Sequence, residues 1–302
     1  MTDIIHIALA SDRNYLPFAA ITIASVAANT ERKTVIHFLY EELGDNDFTV
    51  FDFLKQFPHI TLQKHQISNA FFQDWPEMRW SKAAYYRLIL PDLLPDLNKI
   101  VYLDCDLCVL DDIGKLYDTD FDGKSIMAVI TRIKKEHICK LGISPEDYFN
   151  SGVIVFSPKQ WKENNLIAKF KQCFAENLDK LKYPDQDILN LIFRKDIKIL
   201  HSKWNIITST FRNEPVVNIS EEEIKTALKA PGIVHFTGSH KPWLMWKSFH
   251  HPYALTMLKY AKIAKQKKIC RILSFKKLIF PTIAKPHKKL KWDRSIIDRS
   301  LF

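Results

Sequence analysis

Long apolar runs are missing from this chain of 302 residues. The longest charge-free stretch, Asn14–Thr30, includes Pro17 and several small polar residues, and it falls short of the roughly 20 apolar residues a membrane span needs. It is expected to be a helix packed on a sheet. The N-terminus lacks a basic n-region and runs directly into Ile4–Ala10 and then Asp12, so no secretory signal is expected. Cysteine is sparse: the five residues at 105, 108, 139, 173 and 270 are odd in number and lack framework spacing, which points to a reducing compartment. Cys105 and Cys108 form a C-x-x-C, but no second pair completes a zinc ribbon. The pair lies inside Val101–Leu110, which reads as one continuing strand rather than a helix start, so a redox motif is not expected either. Internal repeats are absent, and the one low-complexity segment is a Lys-rich tail.

The composition, 47% hydrophobic and 26% charged, is that of an ordinary globular protein, and the length allows one or two domains. The net charge of +10 is concentrated at one end. Fourteen of the 44 Lys and Arg fall between Lys259 and Phe302, against two acids, Asp293 and Asp298.

Ile4–Ala10 reads as a strand and Phe18–Ala28 as a helix, followed by a strand at Val35–Tyr40, a helix at Asp45–Lys55 and a strand at Ile60–His65. Ser81–Leu90 looks helical, ending at Pro91, before a strand at Ile100–Asp104. Strands are expected at Ser125–Thr131, Val153–Ser157, Ile197–Leu200 and Gly232–Phe236, and helices at Leu166–Leu178 and Asp185–Phe193. This alternation implies an α/β fold with a mixed, mostly parallel sheet flanked by helices. In such open sheets ligands sit beyond the carboxyl ends of the strands, where Asp12, Asp104, Asp106 and His235 fall.

Asp104 and Asp106 stand two residues apart at the end of an apolar run. In an extended strand, side chains at i and i+2 share a face, so both carboxylates can converge on one cation while Cys105 turns the other way. Two hard oxygen ligands favour Mn²⁺ or Mg²⁺, and a cation short of ligands at a strand terminus can carry a diphosphate. An Asp-x-Asp alone is equally compatible with a solvated loop end. His235 can add a nitrogen ligand, although a lone strand-end His is more often structural; Gly238 lets the backbone approach an oxyanion, and Lys241 can offer a point charge to a β-phosphate. Asp12, Asn14 and Tyr15 could read and stack on a base, or simply form a turn with an Asx cap. Asn150, Ser151 and Gly152, and likewise Asp185, Gln186 and Asp187, could be turn chemistry and an N-cap.

Six segments together resemble the retaining glycosyltransferases of family 8, which include bacterial lipopolysaccharide galactosyl- and glucosyltransferases and are related to glycogenin and plant galactinol synthase. They are Ala10-Ser-Asp-Arg-Asn-Tyr15, Tyr85-Tyr-Arg-Leu88, Val101-Tyr-Leu-Asp-Cys-Asp106, Phe149-Asn-Ser-Gly-Val153, Asp185-Gln-Asp-Ile-Leu-Asn190 and His235-Phe-Thr-Gly-Ser-His-Lys-Pro-Trp243. The resemblance implies a GT-A fold over about residues 1–250, a UDP-galactose or UDP-glucose donor, and retention of anomeric configuration. It places Ala10, Asp12, Asn14 and Tyr15 at the uridine, Arg87, Cys105, Gly238 and Lys241 along the donor, and Asn150, Ser151, Asp185 and Gln186 around the sugar. Asp104, Asp106 and His235 become the metal ligands. Gln186 would lie near the anomeric carbon, which favours same-face attack, with Asp187 the alternative as a covalent nucleophile. Where relatives carry an Asp after the Ser125–Ile130 strand, this chain has Thr131 and then Arg132. Trp75, Trp80 and Lys134–Lys140 could shape an acceptor site, or be surface and core.

In the tail, 251–302, Ala254, Met257, Leu258 and Ala261 share a helical face with lysines between them, and Ile269–Phe280 repeats the theme before Pro281. Such a basic amphipathic segment could hold the protein at the anionic inner face of the cytoplasmic membrane, each Lys or Arg adding about 1 kcal/mol, or it could be a solvated tail. No nucleic-acid-binding module accompanies the charge, so nucleic acid is not expected as a partner. The expected activity is hexosyl transfer to a glycan or glycolipid acceptor. Self-glucosylation and a non-catalytic, membrane-associated role are the alternatives.

Overall fold

The computed structural model describes residues 4–68, 72, 82–131, 133–212, 219–238, 241–244 and 251–279. Trp75, Trp80, Arg132 and the tail from Phe280 onward lie outside these residues. The strands are β1 (Ile5–Ala10), β2 (Thr34–Tyr40), β3 (Ile60–Gln66), β4 (Ile100–Leu103), β5 (Leu107–Val109), β6 (Ile126–Ile130), β7 (Phe149–Phe156), β8 (Ile197–Ile199), β9 (Ile206–Ile207) and β10 (Ile233–His235). The α-helices are α1 (Leu16–Asn29), α2 (Leu90–Leu93), α3 (Gly114–Tyr117), α4 (Lys135–Leu141), α5 (Pro158–Glu163), α6 (Leu166–Asn177), α7 (Pro184–Phe193), α8 (Glu221–Lys229), α9 (Ala254–Ile263) and α10 (Lys267–Ile279).

Seven strands form one sheet in the order β3-β2-β1-β4-β7-β6-β8, and β5, β10 and β9 form a second. The large sheet is parallel except at β7, which runs antiparallel to both β4 and β6. Alternation along β1 sends Ile5, Ile7 and Leu9 into the core beneath α1 and α9, and Ala8 into the opposite core, where Phe170 and Phe174 of α6 meet Ile188 and Leu189 of α7. On that second face His6, His37 and His65 make a row across β1, β2 and β3. His6 Nδ1 lies 3.0 Å from His37 Nε2, and His37 Nδ1 lies 3.0 Å from His65 Nε2.

Several local expectations are corrected. Asp45–Gln56 winds as a 3₁₀ helix, whose period of three brings Phe48 and Phe51 together against Phe38. Pro91 does not end the preceding helix. A 3₁₀ segment at Lys82–Ile89 passes into α2 with Pro91 in its first turn, where the missing N–H costs nothing. Asn150, Ser151 and Gly152 lie within β7 rather than ahead of it. The apolar face of α9 is internal, with Met257, Leu258, Tyr260 and Ala261 buried in the same core as α1, so it is unavailable to a membrane and the core continues past residue 250. Burial of each large side chain there contributes about 2 kcal/mol. Among the described residues, no helix is long and apolar enough to cross a membrane.

The segment expected to be one strand from Val101 to Leu110 is broken. β4 stops at Leu103 and β5 belongs to the second sheet, paired antiparallel with β10. The Asp104 amide still donates to Gly152 O of the large sheet (2.8 Å), whereas the Asp106 carbonyl accepts from Phe236 N–H beyond β10 (2.9 Å). Asp104-Cys-Asp106 is therefore the corner between two sheets. The Thr22 hydroxyl of α1 lies 2.8 Å from both the Cys105 and Leu107 carbonyls.

Candidate functional site

At that corner both acidic side chains turn toward the last residue of β10. His235 Nε2 lies 3.1 Å from Asp106 Oδ1 and 3.6 Å from Asp104 Oδ2. One ligand atom from each of the three residues lies within 4.8 Å of the others. Lone pairs converging in this way fit a hard divalent cation held by two oxygens and one nitrogen. Gly152 of β7 runs beneath them: a Cβ there would come 2.2 Å from His235 Cε1 and 2.5 Å from Asp104 Oδ2, so the cluster occupies the space a side chain would need.

The flanking charges complete the arrangement. Arg87 is 4% exposed, and its Nη2 donates to Asp104 Oδ1 (2.8 Å), its Nη1 to Ser151 O (2.6 Å), while its Nε lies 3.4 Å from Asp185 Oδ2. Burial opposes the guanidinium charge, but the Asp104 and Asp185 carboxylates more than restore it. Burial raises the Asp185 carboxyl, with Arg87 acting against that rise. Lys241 pairs with Asp106 Oδ2 and donates to Phe236 O (2.8 Å). Burial likewise opposes ionisation of Asp106, yet Lys241 and His235 hold it well below the usual carboxylate range. Lys241 in turn is held above its ordinary value, because Asp106 outweighs its own burial.

Cys105 turns away from the acids, as its place between them requires. Its thiol donates to Ala10 O (3.0 Å), and burial pushes it well above its usual range. Asp12 Oδ1 accepts from the amides of Asn14 (2.9 Å) and Tyr15 (3.0 Å), an Asx turn that leads into α1. Tyr15 is 38% exposed and meets Phe18 edge-on, and Phe18 stacks on Trp243 at 4.1 Å. Trp243 thus packs, anchoring the segment that carries Lys241. Gly238 sits at φ +73°, the left-handed region that favours glycine.

The first turn of α7 reaches the cluster through Arg87, which lies against both Asp104 and Asp185. Gln186 Oε1 accepts from Asn150 Nδ2 (2.9 Å) and Ser151 N–H (3.1 Å), and Ser151 Oγ donates to Asp185 Oδ2 (3.2 Å). Asp187 stands apart. It is wholly buried and receives the Tyr148 hydroxyl (2.5 Å), His137 Nε2 (3.0 Å) and the amides of Lys182 (2.7 Å) and Tyr183 (2.8 Å). Both of its oxygens are engaged by donors, and these bonds tie the first turn of α7 to Tyr148 and to the segment before the helix. Asn190 does similar work, clasping the Phe149 amide and carbonyl at 2.8 and 2.9 Å.

Thr131 is buried and its amide donates to Tyr148 O (2.9 Å). In the Lys134–Lys140 stretch, His137 and Ile138 face inward and the lysines face solvent. Tyr148 and Asn205 join the site without any mark in the sequence. Asn205 Oδ1 lies 3.1 Å from His235 Nδ1, but it comes from a connecting segment without periodicity, and no motif marks it.

The sequence profile of glycosyl transferase family 8 matches residues 6–247. General stress protein A of Bacillus subtilis is 33% identical over 180 residues, which cover 57% of this chain and 62% of that protein. A lipopolysaccharide 1,2-glucosyltransferase of Escherichia coli is 30% identical over 248 residues, 79% of this chain and 73% of that protein. Among solved structures, the galactosyltransferase LgtC, in complex with donor and acceptor sugar analogues, superposes with a TM-score of 0.74 at 22% identity, covering 87% of this chain and 96% of that one. The fold is GT-A.

Proposed function

Because the chain belongs to glycosyl transferase family 8, we propose that it is a metal-dependent retaining hexosyltransferase, moving galactose or glucose from a UDP-sugar to a lipopolysaccharide or lipooligosaccharide acceptor. The observation that carries this reading is the convergence of Asp104, Asp106 and His235 beside Lys241, with Gln186 nearby. Asp104, Asp106 and His235 would hold Mn²⁺ or Mg²⁺, which when bound supplies positive charge to the diphosphate oxygens. Arg87 keeps Asp104 Oδ1 engaged and so leaves Oδ2 turned toward His235. Lys241 meets the charge that builds on the β-phosphate as it departs. Asp12, Asn14 and Tyr15 would receive the uridine.

Retention follows from attack on the face that the phosphate leaves. The bond from the anomeric carbon to the phosphate oxygen breaks, the acceptor oxygen bonds to that carbon, and the acceptor's hydroxyl proton passes to the departing phosphate. The burial of Asp187 favours this route over a covalent adduct on that carboxylate. The lipid-linked nature of the proposed acceptor suits a location at the inner face of the cytoplasmic membrane. Because the apolar face of α9 is internal, attachment there would rest on exposed cations such as Lys259, Lys262 and Lys265. The test is acceptor-free hydrolysis of UDP-galactose and UDP-glucose followed by proton NMR. Slow, Mn²⁺-dependent release of one hexose, first seen as the α-anomer, supports the reading; release of neither sugar, with Mn²⁺ present, overturns it.

A further inference from the structure

We propose that Asn205 is a positioning residue for the metal site, holding His235 with its proton on Nδ1 and its Nε2 lone pair toward Asp104 and Asp106; the inference rests on the metal centre of the function proposed above. A backbone amide N–H can only donate. Gly152 N–H donates to Asn150 Oδ1 at 3.1 Å, which fixes that atom as oxygen. The Asn205 atom 2.8 Å from the same oxygen must then be the donor Nδ2. Its other atom, Oδ1, therefore faces His235 Nδ1 at 3.1 Å. A carboxamide oxygen only accepts, so Nδ1 carries a proton, and in the neutral ring that a cation binds Nε2 keeps the lone pair; without a cation a second proton on Nε2 can face Asp106 instead.

A second backbone amide gives the same polarity from the other end. Ser151 N–H fixes Gln186 Oε1, to which Asn150 Nδ2 also donates. Gln186 Nε2 then donates to the Tyr148 hydroxyl at 2.9 Å, and Tyr148 donates to Asp187. Donors thus run in one direction from His235 through Asn205, Asn150, Gln186 and Tyr148 to Asp187. No amide in the chain can flip alone without setting donor against donor or acceptor against acceptor.

Asn205 guards against a specific competitor. With the proton on Nε2, His235 would donate to Asp106 Oδ1, 3.1 Å away, and the ring would be lost as a cation ligand. His235 and Asn205 are 2% and 3% exposed, so water is poorly placed to replace the carboxamide. Outer partners of this kind typically alter metal affinity by about 10–100-fold.

The test uses Mn²⁺ alone with the full chain. Electron paramagnetic resonance titration of free Mn²⁺ gives the affinity, ¹⁴N spin-echo modulation reports imidazole coordination, and thermal unfolding reports folding. Asn205→Leu should bind Mn²⁺ about 10–100-fold more weakly and lose the ¹⁴N modulation. Asn205→Asp keeps an acceptor on Nδ1, although its second oxygen faces Asn150 Oδ1, and should retain the ¹⁴N modulation with a smaller loss of affinity than Asn205→Leu. If the leucine variant does not fold, Asn205→Ala takes its place in the same comparison. A folded leucine or alanine variant with wild-type affinity and modulation overturns the inference, as does an aspartate variant that loses as much. Wild type that binds no Mn²⁺ overturns the metal centre itself, and the inference with it.

Discussion

Arg87 Nη2 lies 2.8 Å from Asp104 Oδ1, and the same guanidinium reaches Ser151 O and the Asp185 carboxylate. One buried cation thus ties the corner of the two sheets to β7 and to the first turn of α7. Replacing it with methionine leaves Asp104 and Asp185 without their counter-charge. Arg87→Met should cost about 3–5 kcal/mol in urea unfolding, and Arg87→Lys, which keeps the charge but not the fork, should cost less. A methionine variant as stable as wild type would remove Arg87 from this role.

Gly152 has its own consequence. The Cβ of Gly152→Ala would come 2.2 Å from His235 Cε1 and 2.5 Å from Asp104 Oδ2, so the backbone or both side chains must shift. Overpacking of this kind costs about 1–3 kcal/mol, and displaced ligands should weaken Mn²⁺ binding by about tenfold or more. Titration of Mn²⁺ into the variant checks both ligands at once; unchanged affinity would show that the cluster has room to spare.

The histidine row predicts acid sensitivity. Burial, reinforced by His6 and His65, lowers His37 from 6.5 to about 3. As pH falls below 6.5 the unfolded chain takes up this proton before the folded one does, so stability drops from that point toward pH 3. The slope from this group approaches about 1.4 kcal/mol per pH unit. Urea unfolding between pH 7 and pH 4 should show a shallower slope for His37→Gln than for wild type; equal slopes would mean that His37 does not govern the acid limb.

The sheet and the pairing of Asp104 with Asp106 were legible because strand ends and an Asp-x-Asp are local signals. The corner at 104–106 was not. Leu107–Val109 is apolar and buried in either sheet, so periodicity runs on unbroken where the chain changes partners. The face of α9 misled for a related reason: an apolar stripe between lysines reads alike whether it meets α1 or a lipid. Asp187 could not be separated from Asp185 by spacing, since only the fold wraps one in donors and turns the other to Arg87. Asn205 reaches His235 across 30 residues and reaches Asn150 across 55, contacts that no local pattern announces.

If Asp104, Asp106 and His235 together hold a divalent cation through which the chain binds a nucleoside diphosphate, UDP binding must depend on that cation. Calorimetric titration of UDP into wild type and into Asp106→Asn, each with Mn²⁺ and with a chelator, tests it most directly. Wild type should bind UDP with Mn²⁺ and lose that binding in chelator, and Asp106→Asn should bind in neither condition. UDP binding by chelated wild type as tight as in Mn²⁺ would remove the cation from nucleotide binding.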